Sequence, residues 1–217
     1  MEIKWISHSC FLIKNSIGKK ILIDPIQIYP HIQKYDLRPD IITFSHTHNN
    51  EFINKFIIDD YKVINSATEF KNNYFNIKGF MTYKDNFNGY KRGENIIYLF
   101  EIDNYRLCHL GSLGHLLDTK LINELINIDF LFIPIGGNFV LDGYSASTII
   151  NYLNPKYIIP MSFKTSNKFF YFDSPLKFLK SIKNIIYNDT DVIYTNNLNF
   201  TSSSTVILLK ENNKKPL

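Results

Sequence analysis

Apolar residues occur in short runs broken by Asn, Gly and Pro, and the spacing within each run decides what it predicts. Segments 3–6, 11–14 and 20–24 read as strands, with Asn15-Ser16-Ile17-Gly18 as the turn between the last two. Segment 25–40, carrying Pro25, Pro30 and Pro39, is irregular. Positions 41–45 have no helical period and predict a buried strand; 51–58 predicts a short helix and 61–65 another strand. Positions 74–103 predict successive antiparallel strands with breaks at 84–89 and 90–95, and 105–110 predicts one more. The pattern then changes. Leu121, Ile122, Leu125 and Ile126 share one face of a helix over 118–126, 130–135 is a strand, and 145–153 is a helix with Ser145 at its N-cap, ended by Asn154-Pro155. A strand at 157–161, a helix at 175–182 and strands at 191–194 and 205–209 follow, and the polar tail 210–217 frays. Strands first, then strands alternating with helices, predict an α/β (α+β) fold of two sheets covered by helices, in a single domain over 1–217.

Composition excludes whole classes without altering that picture. A chain of 217 residues with 45% apolar content can bury a large core, which rules out a disordered or coiled-coil protein. No apolar run reaches the roughly 18 residues needed to span a bilayer; the longest, 130–141, is interrupted by Pro134, Gly136, Gly137 and Asn138. The opening Met-Glu-Ile-Lys-Trp lacks a charged segment followed by an apolar one, so no secretory signal is expected. Cys10 and Cys108 are too few for a disulfide framework, and a cytoplasmic protein is the expectation. The net charge of +4 comes from scattered lysines, with arginine only at 38, 92 and 106, so neither a nucleic acid nor a membrane is expected as partner. A small-molecule substrate is expected, and a homo-oligomer stays open.

The candidate chemistry lies in the histidines: His8, His31, His46, His48, His109 and His115. His46 and His48 stand two apart at the end of an apolar strand, so in an extended segment their rings point to the same side. His109 ends another apolar strand and is followed by Gly111 and Gly114, which permit a tight loop. Three histidines and one water form a zinc arrangement with an open position, and zinc brings the pKa of its water to about 7. The plainer reading is that such histidines cap loops and bond to backbone carbonyls. His115 caps or precedes the following helix on this reading, and His31 lies on the surface. Strand alternation turns Cys108 away from His109 into a core, and Cys10 reads as core too. Loops 25–40 and 84–95 carry no readable substrate code. The aromatics Phe163, Phe169, Phe170, Tyr171 and Phe172 line a pocket or pack a core.

Taken in order, these segments resemble the metallo-β-lactamase superfamily, in particular its small bacterial metal-dependent hydrolases related to L-ascorbate-6-phosphate lactonase. The resemblance runs from Trp5 to about Thr165. Trp5-Ile6-Ser7-His8-Ser9-Cys10-Phe11 is similar to the family's opening strand pair, Ile23-Asp24-Pro25 to its Ile-Asp-Pro block, and Ser45-His46-Thr47-His48 to its Thr-His-x-His-x-Asp-His signature. His109-Leu110-Gly111-Ser112 resembles its His-x-Gly-Asp block, and Ile133-Pro134-Ile135-Gly136-Gly137 and Pro160-Met161 its late blocks. The resemblance implies an αββα sandwich with ligands on loops at one edge. It also exposes departures: Asn50 and Glu51 replace the family's Asp-His, Ser112 its metal-bridging Asp, and Ser162 its last metal-binding His. The expectation is therefore one zinc ion on His46, His48 and His109, and no dinuclear centre. Glu51 or Asp24 would then move protons in catalysis, although Asp24 better suits orienting a ligand histidine, and His8 a structural or substrate-contacting role. The alternative is a degenerate, non-catalytic member, its metal weak or absent, acting as a binding or scaffold module.

Overall fold

The structure is a computed structural model that describes residues 1–28, 37–46, 61–165, 169–199 and 203–211. Its first sheet is built from β1 (Glu2–Ser7), β2 (Cys10–Lys14), β3 (Lys20–Ile23), β4 (Ile41–Thr43), β5 (Lys62–Ile64) and β13 (Val192–Tyr194), in the order β13-β1-β2-β3-β4-β5. The second contains β6 (Glu69–Lys71), β7 (Asn76–Tyr83), β8 (Glu94–Ile102), β9 (Tyr105–His109), β10 (Phe130–Pro134), β11 (Tyr157–Met161), β12 (Ile185–Tyr187) and β14 (Thr205–Leu208), in the order β12-β14-β11-β10-β9-β8-β7-β6. Strands β6 to β9 form an antiparallel meander, and β9, β10 and β11 run parallel.

Parallel neighbours require crossovers, and helices α1 (Thr119–Glu124) and α2 (Gly143–Leu153) supply them. Successive crossovers of the same hand and direction put both helices on one face of the eight-stranded sheet. The strands beneath are then buried on both faces, which is why every residue of β10 and β11 is buried. A third helix, α3 (Pro175–Leu179), packs against α2, where Gly143 would bring a Cβ to 3.0 Å from the Phe178 Cα. Between the sheets, the ring of Phe11 meets Phe132 at 4.7 Å, and Ile13, Ile21, Ile23, Tyr98, Phe100 and Phe130 fill the same core. Among the described residues no helix is long and apolar enough to cross a membrane.

Most predicted elements are present within a residue or two. The helix expected at 51–58 lies outside the described residues. The α2 cap is a correction: the helix starts at Gly143, and Asp142 is the N-cap, its carboxylate accepting from the Ser145 N–H at 2.8 Å, so Ser145 sits inside the first turn. His115 precedes α1 and does not cap it. Its Nε2 accepts from the Tyr83 N–H at 3.2 Å, while Asp118 caps α1 by accepting from the Leu121 N–H at 2.8 Å. On α1 the shared face is only partly covered: Leu125 is fully buried while Ile126 is half exposed. Cys10 and Cys108 are both buried in the core, as the alternation predicts.

Candidate active site

The chain leaving β4 carries the site. Tyr98 rises from the second sheet with its hydroxyl 3.1 Å from the carbonyl oxygens of both Phe44 and Ile64, and the Ile96 N–H donates to the Ser45 carbonyl at 2.6 Å. These bonds fix the backbone just before His46. Asp24, wholly buried at the end of β3, accepts the Ser45 N–H at Oδ1 (2.7 Å) and the Ser45 hydroxyl at Oδ2 (2.6 Å). The Ser45 Oγ is in turn 2.8 Å from His46 Nδ1. Because the single hydroxyl proton is given to Asp24, Oγ can only accept from the ring. Nδ1 therefore carries a proton, and in the neutral ring the lone pair is on Nε2. The result is a chain from imidazole to hydroxyl to buried carboxylate, with His46 lining a cavity of about 600 Å³.

The loop after β9 closes the other wall. Asn95, fully buried, donates from Nδ2 to Thr82 Oγ1 (2.8 Å) and the Leu110 carbonyl (3.0 Å), and its Oδ1 accepts the Ser112 N–H (2.8 Å). Gly111 passes between Asn95 and Ser45 with φ +60°, where a Cβ would lie 2.4 Å from Asn95 Oδ1 and 2.6 Å from Ser45 Cβ, so only glycine fits both the conformation and the space. Ser112 thereby reaches the cavity wall beside His8, Ser9 and His46. His8 stacks on Phe169 and Phe172 at 4.7 and 5.2 Å, and its carbonyl accepts from Trp5 Nε1 at 3.0 Å. His8, Asp24 and Ser162 all hold left-handed backbone, at φ +53°, +47° and +53°. Such residues cost about 1–2 kcal/mol each and concentrate where a site imposes geometry.

The expected ligands are placed unequally. His46 meets the cavity. His109 does not: it is fully buried, its Nε2–H donates to the Ser9 carbonyl at 3.0 Å, and its Nδ1 accepts the Gly111 N–H at 3.2 Å. Burial, against the Ser9 bond that favours charge, pushes its pKa down to about 4, so it stands neutral with backbone at both ring nitrogens. His48, Asn50, Glu51 and His31 lie outside the described residues, and among the described residues no group of three metal-binding side chains comes together. Ser162 is buried, its Oγ without a hydrogen-bond partner among the described residues. Asp24 accepts from Ser45 at both oxygens, which suits it to orienting His46 through the Ser45 hydroxyl.

Four residues that shape the site were not singled out from the sequence: Ser45, Asn95, Lys84 and Arg92. Ser45 had a signal, since a hydroxyl preceding a candidate histidine is placed to bond its ring. Lys84 and Arg92 flank a turn held by Asp85, whose carboxylate accepts four backbone N–H groups, from Phe87 (2.8 Å), Gly89 (3.0 Å), Lys91 (3.1 Å) and Arg92 (2.7 Å). Burial alone would raise the Asp85 pKa, but these four donors hold it below the usual carboxylate range.

Comparison with known proteins bears on this geometry. The family model of a β-lactamase superfamily domain matches residues 2–162. A UPF0173 metal-dependent hydrolase of Carboxydothermus hydrogenoformans is 26% identical over 194 residues, covering 76% of this chain and 85% of the relative. One of Nanoarchaeum equitans is 29% identical over 193 residues, covering 76% and 85%. Among solved structures, an inferred Zn-dependent hydrolase of the metallo-β-lactamase superfamily from Thermotoga maritima aligns with a TM-score of 0.76 and 27% identity over 97% of this chain and 99% of its own. A metallo hydrolase from Ignicoccus hospitalis, at 18% identity and a TM-score of 0.59 over 75% of this chain and 82% of its own, shares the fold.

Proposed function

We propose that this chain, which belongs to the metallo-β-lactamase superfamily, is a metal-dependent hydrolase that activates water at His46 for attack on a small-molecule substrate. The observation that carries this reading is the hydrogen-bond chain from Asp24 through Ser45 to His46, ending at the cavity. It leaves the Nε2 lone pair at the reacting end and places a buried carboxylate behind the ring. In that arrangement Nε2 would be the nitrogen that holds the metal, which would supply the activated water, and Asp24, acting through the Ser45 hydroxyl, fixes the orientation and tautomer of the ring. The names of the relatives support metal dependence and hydrolysis.

The finer form of the proposal assigns one zinc ion to His46, His48 and His109, where it would supply a water of pKa about 7. The fit is divided. His46 has the tautomer a ligand needs, with its second nitrogen oriented by Ser45 as metal-binding histidines are. His109 fits by giving up one of its two backbone bonds, the Gly111 N–H at Nδ1 or the Ser9 carbonyl at Nε2, and His48 lies outside the described residues. The alternative, a member that has lost hydrolysis and serves as a binding module, draws its support from that same sealed ring and from Ser112 and Ser162 at the replaced ligand positions.

Metal content separates the two. After zinc reconstitution, the hydrolase reading expects about one ion per chain by mass spectrometry, lost in His46→Ala, together with hydrolysis of some member of a panel of aryl esters, lactones and phosphate esters. Less than a tenth of an ion per chain and no turnover would establish the binding module instead.

A further inference from the structure

The cavity beside His46 has a marked electrostatic bias. Among the described residues its lysine and arginine lining side chains are Lys84 and Arg92, and no carboxylate lines it. Among the described residues neither cation has a carboxylate within ion-pairing distance. Asp85, next in sequence to Lys84, has both oxygens committed to the four backbone N–H groups of its own turn. Several other cations are paired: Lys19 with Asp40, Lys78 with Glu69 and Glu124, Arg106 with Glu101, Lys156 with Asp129 and Lys177 with Asp173. Lys84 and Arg92 thus bring two cations into one concave site with no ion-paired carboxylate among the described residues.

Their placement is built. The Lys84 N–H donates to the Gly93 carbonyl at 3.1 Å, and a Cβ at Gly93 would lie 3.9 Å from Lys84 Nζ, so the ammonium ends beside the residue that follows Arg92. The two side chains thus come from opposite ends of one turn whose closure Asp85 enforces. The Gly114 N–H donates to the Tyr83 carbonyl at 3.1 Å, which ties this turn to the loop carrying Ser112. Burial lowers the Lys84 pKa against the opposing pull of Asp85, the cost of an ammonium drawn from water without a direct partner. The same cavity is lined by apolar groups, Ile26, Phe139, Val140 and Phe172, with the Arg92 guanidinium 5.6 Å from the Phe139 ring centre.

We infer that the substrate is a small organic oxyanion, its phosphate or carboxylate held by Lys84 and Arg92 and its apolar body against Phe139, Val140 and Phe172. This rests on the reading of the cavity as the hydrolytic site and names the class of molecule it takes. Arg offers a fork that matches two oxygens, Lys a mobile point charge, and the aromatic wall selects a ring or alkyl body. The bond to be cleaved then lies between the anchored anion and His46.

Isothermal titration with the full chain tests this without requiring turnover. Phenyl phosphate, benzoate and benzylamine are the probes: one apolar ring carrying a phosphate, a carboxylate or an ammonium. At least one anion should bind, benzylamine should not, and the affinity should fall as salt rises. Which anion binds identifies the source of the oxyanion. Lys84→Met and Arg92→Gln should each weaken that binding about tenfold or more while thermal unfolding stays within a few degrees of the wild type. Binding of benzylamine as tight as that of the anions, binding by none of the three, or unchanged anion binding in the double variant overturns the inference. The two readings fail separately. Anion binding without hydrolysis of any ester sinks the hydrolase reading alone, and hydrolysis of neutral esters that ignores both substitutions sinks the oxyanion class alone.

Discussion

Ser45→Ala isolates the group on which the candidate site turns. The hydroxyl is fully buried and makes two bonds, donating to Asp24 Oδ2 at 2.6 Å and accepting from His46 Nδ1 at 2.8 Å. A buried hydrogen bond to a charged group contributes about 1.5–3 kcal/mol, and stranding a buried donor costs about 1–3 kcal/mol. Asp24 keeps the Ser45 N–H at Oδ1, and the small cavity left by one oxygen adds little, so the two losses overlap. A net loss of about 3 kcal/mol follows, which for a domain of this size is about 6–12 °C in the melting temperature. Removal of the hydroxyl also frees the His46 ring to rotate and exchange tautomers, so any turnover should fall with it. Urea unfolding followed by circular dichroism, in a double-mutant cycle with Asp24→Asn, reads the coupling directly. A melting temperature within 1 °C of the wild type, with a coupling energy below about 0.5 kcal/mol, would refute the relay.

Three further outcomes follow from the same geometry. In Gly114→Ala the new methyl would sit 2.0 Å from the Lys84 carbonyl oxygen, a backbone atom that cannot step aside, so a loss of at least about 3 kcal/mol or failure to fold is expected from urea midpoints. Asp85→Asn leaves one acceptor oxygen for four N–H groups, and hydrogen exchange should quicken at Phe87, Gly89, Lys91 and Arg92. Because the Asp85 pKa is depressed in the folded state, its contribution is present above about pH 4 and is lost as pH falls through the folded value, so variant and wild type should converge in acid. In metal-free protein His109 has the opposite dependence on burial. With a folded pKa of about 4 against 6.5, the unfolded chain binds more protons, and stability should drop by about 2 kcal/mol between pH 7.5 and pH 5. His109→Gln should flatten that slope in urea titrations at the two pH values.

The strands were legible where both faces are buried, because β4, β10 and β11 then read as unbroken apolar runs. The strands that were missed are those at the sheet edges. β6 is Glu69-Phe70-Lys71, and its charged flanks face solvent; β12 is three residues, mostly exposed, beyond β14. The edge strands of the first sheet, β5 and β13, were legible at 61–65 and 191–194, so what hid β6 and β12 is three residues of little burial, chosen by the neighbour's hydrogen-bonding groups more than by their own pattern. The α2 cap illustrates a local version of the same limit. Asp142 and Ser145 are both acceptable capping residues, and only the carboxylate's reach to the Ser145 N–H decides between them.

The histidines carry the point furthest. His46 and His109 both end apolar strands, and in sequence they are equivalent candidates. What separates them is the second partner of each ring. His46 has the Ser45 hydroxyl on Nδ1, itself fixed by a carboxylate 21 residues away, and turns its other edge to the cavity. His109 has the Ser9 carbonyl, 100 residues away, on one nitrogen and its own loop on the other. The polarity of each ring follows from donors and acceptors that no motif records. A zinc site on both histidines therefore has an energetic condition attached: the metal must offset the backbone bond at whichever His109 nitrogen ligates it, about 1 kcal/mol net, and, where that nitrogen is Nε2, the reordering of the segment around Ser9. Since zinc binding to structural sites in peptides is worth about 10–16 kcal/mol, a full set of ligands meets that condition easily and a set lacking His48 does so less readily. The metal content of His48→Ala, set against that of His109→Ala, therefore measures which of the two rings anchors the ion.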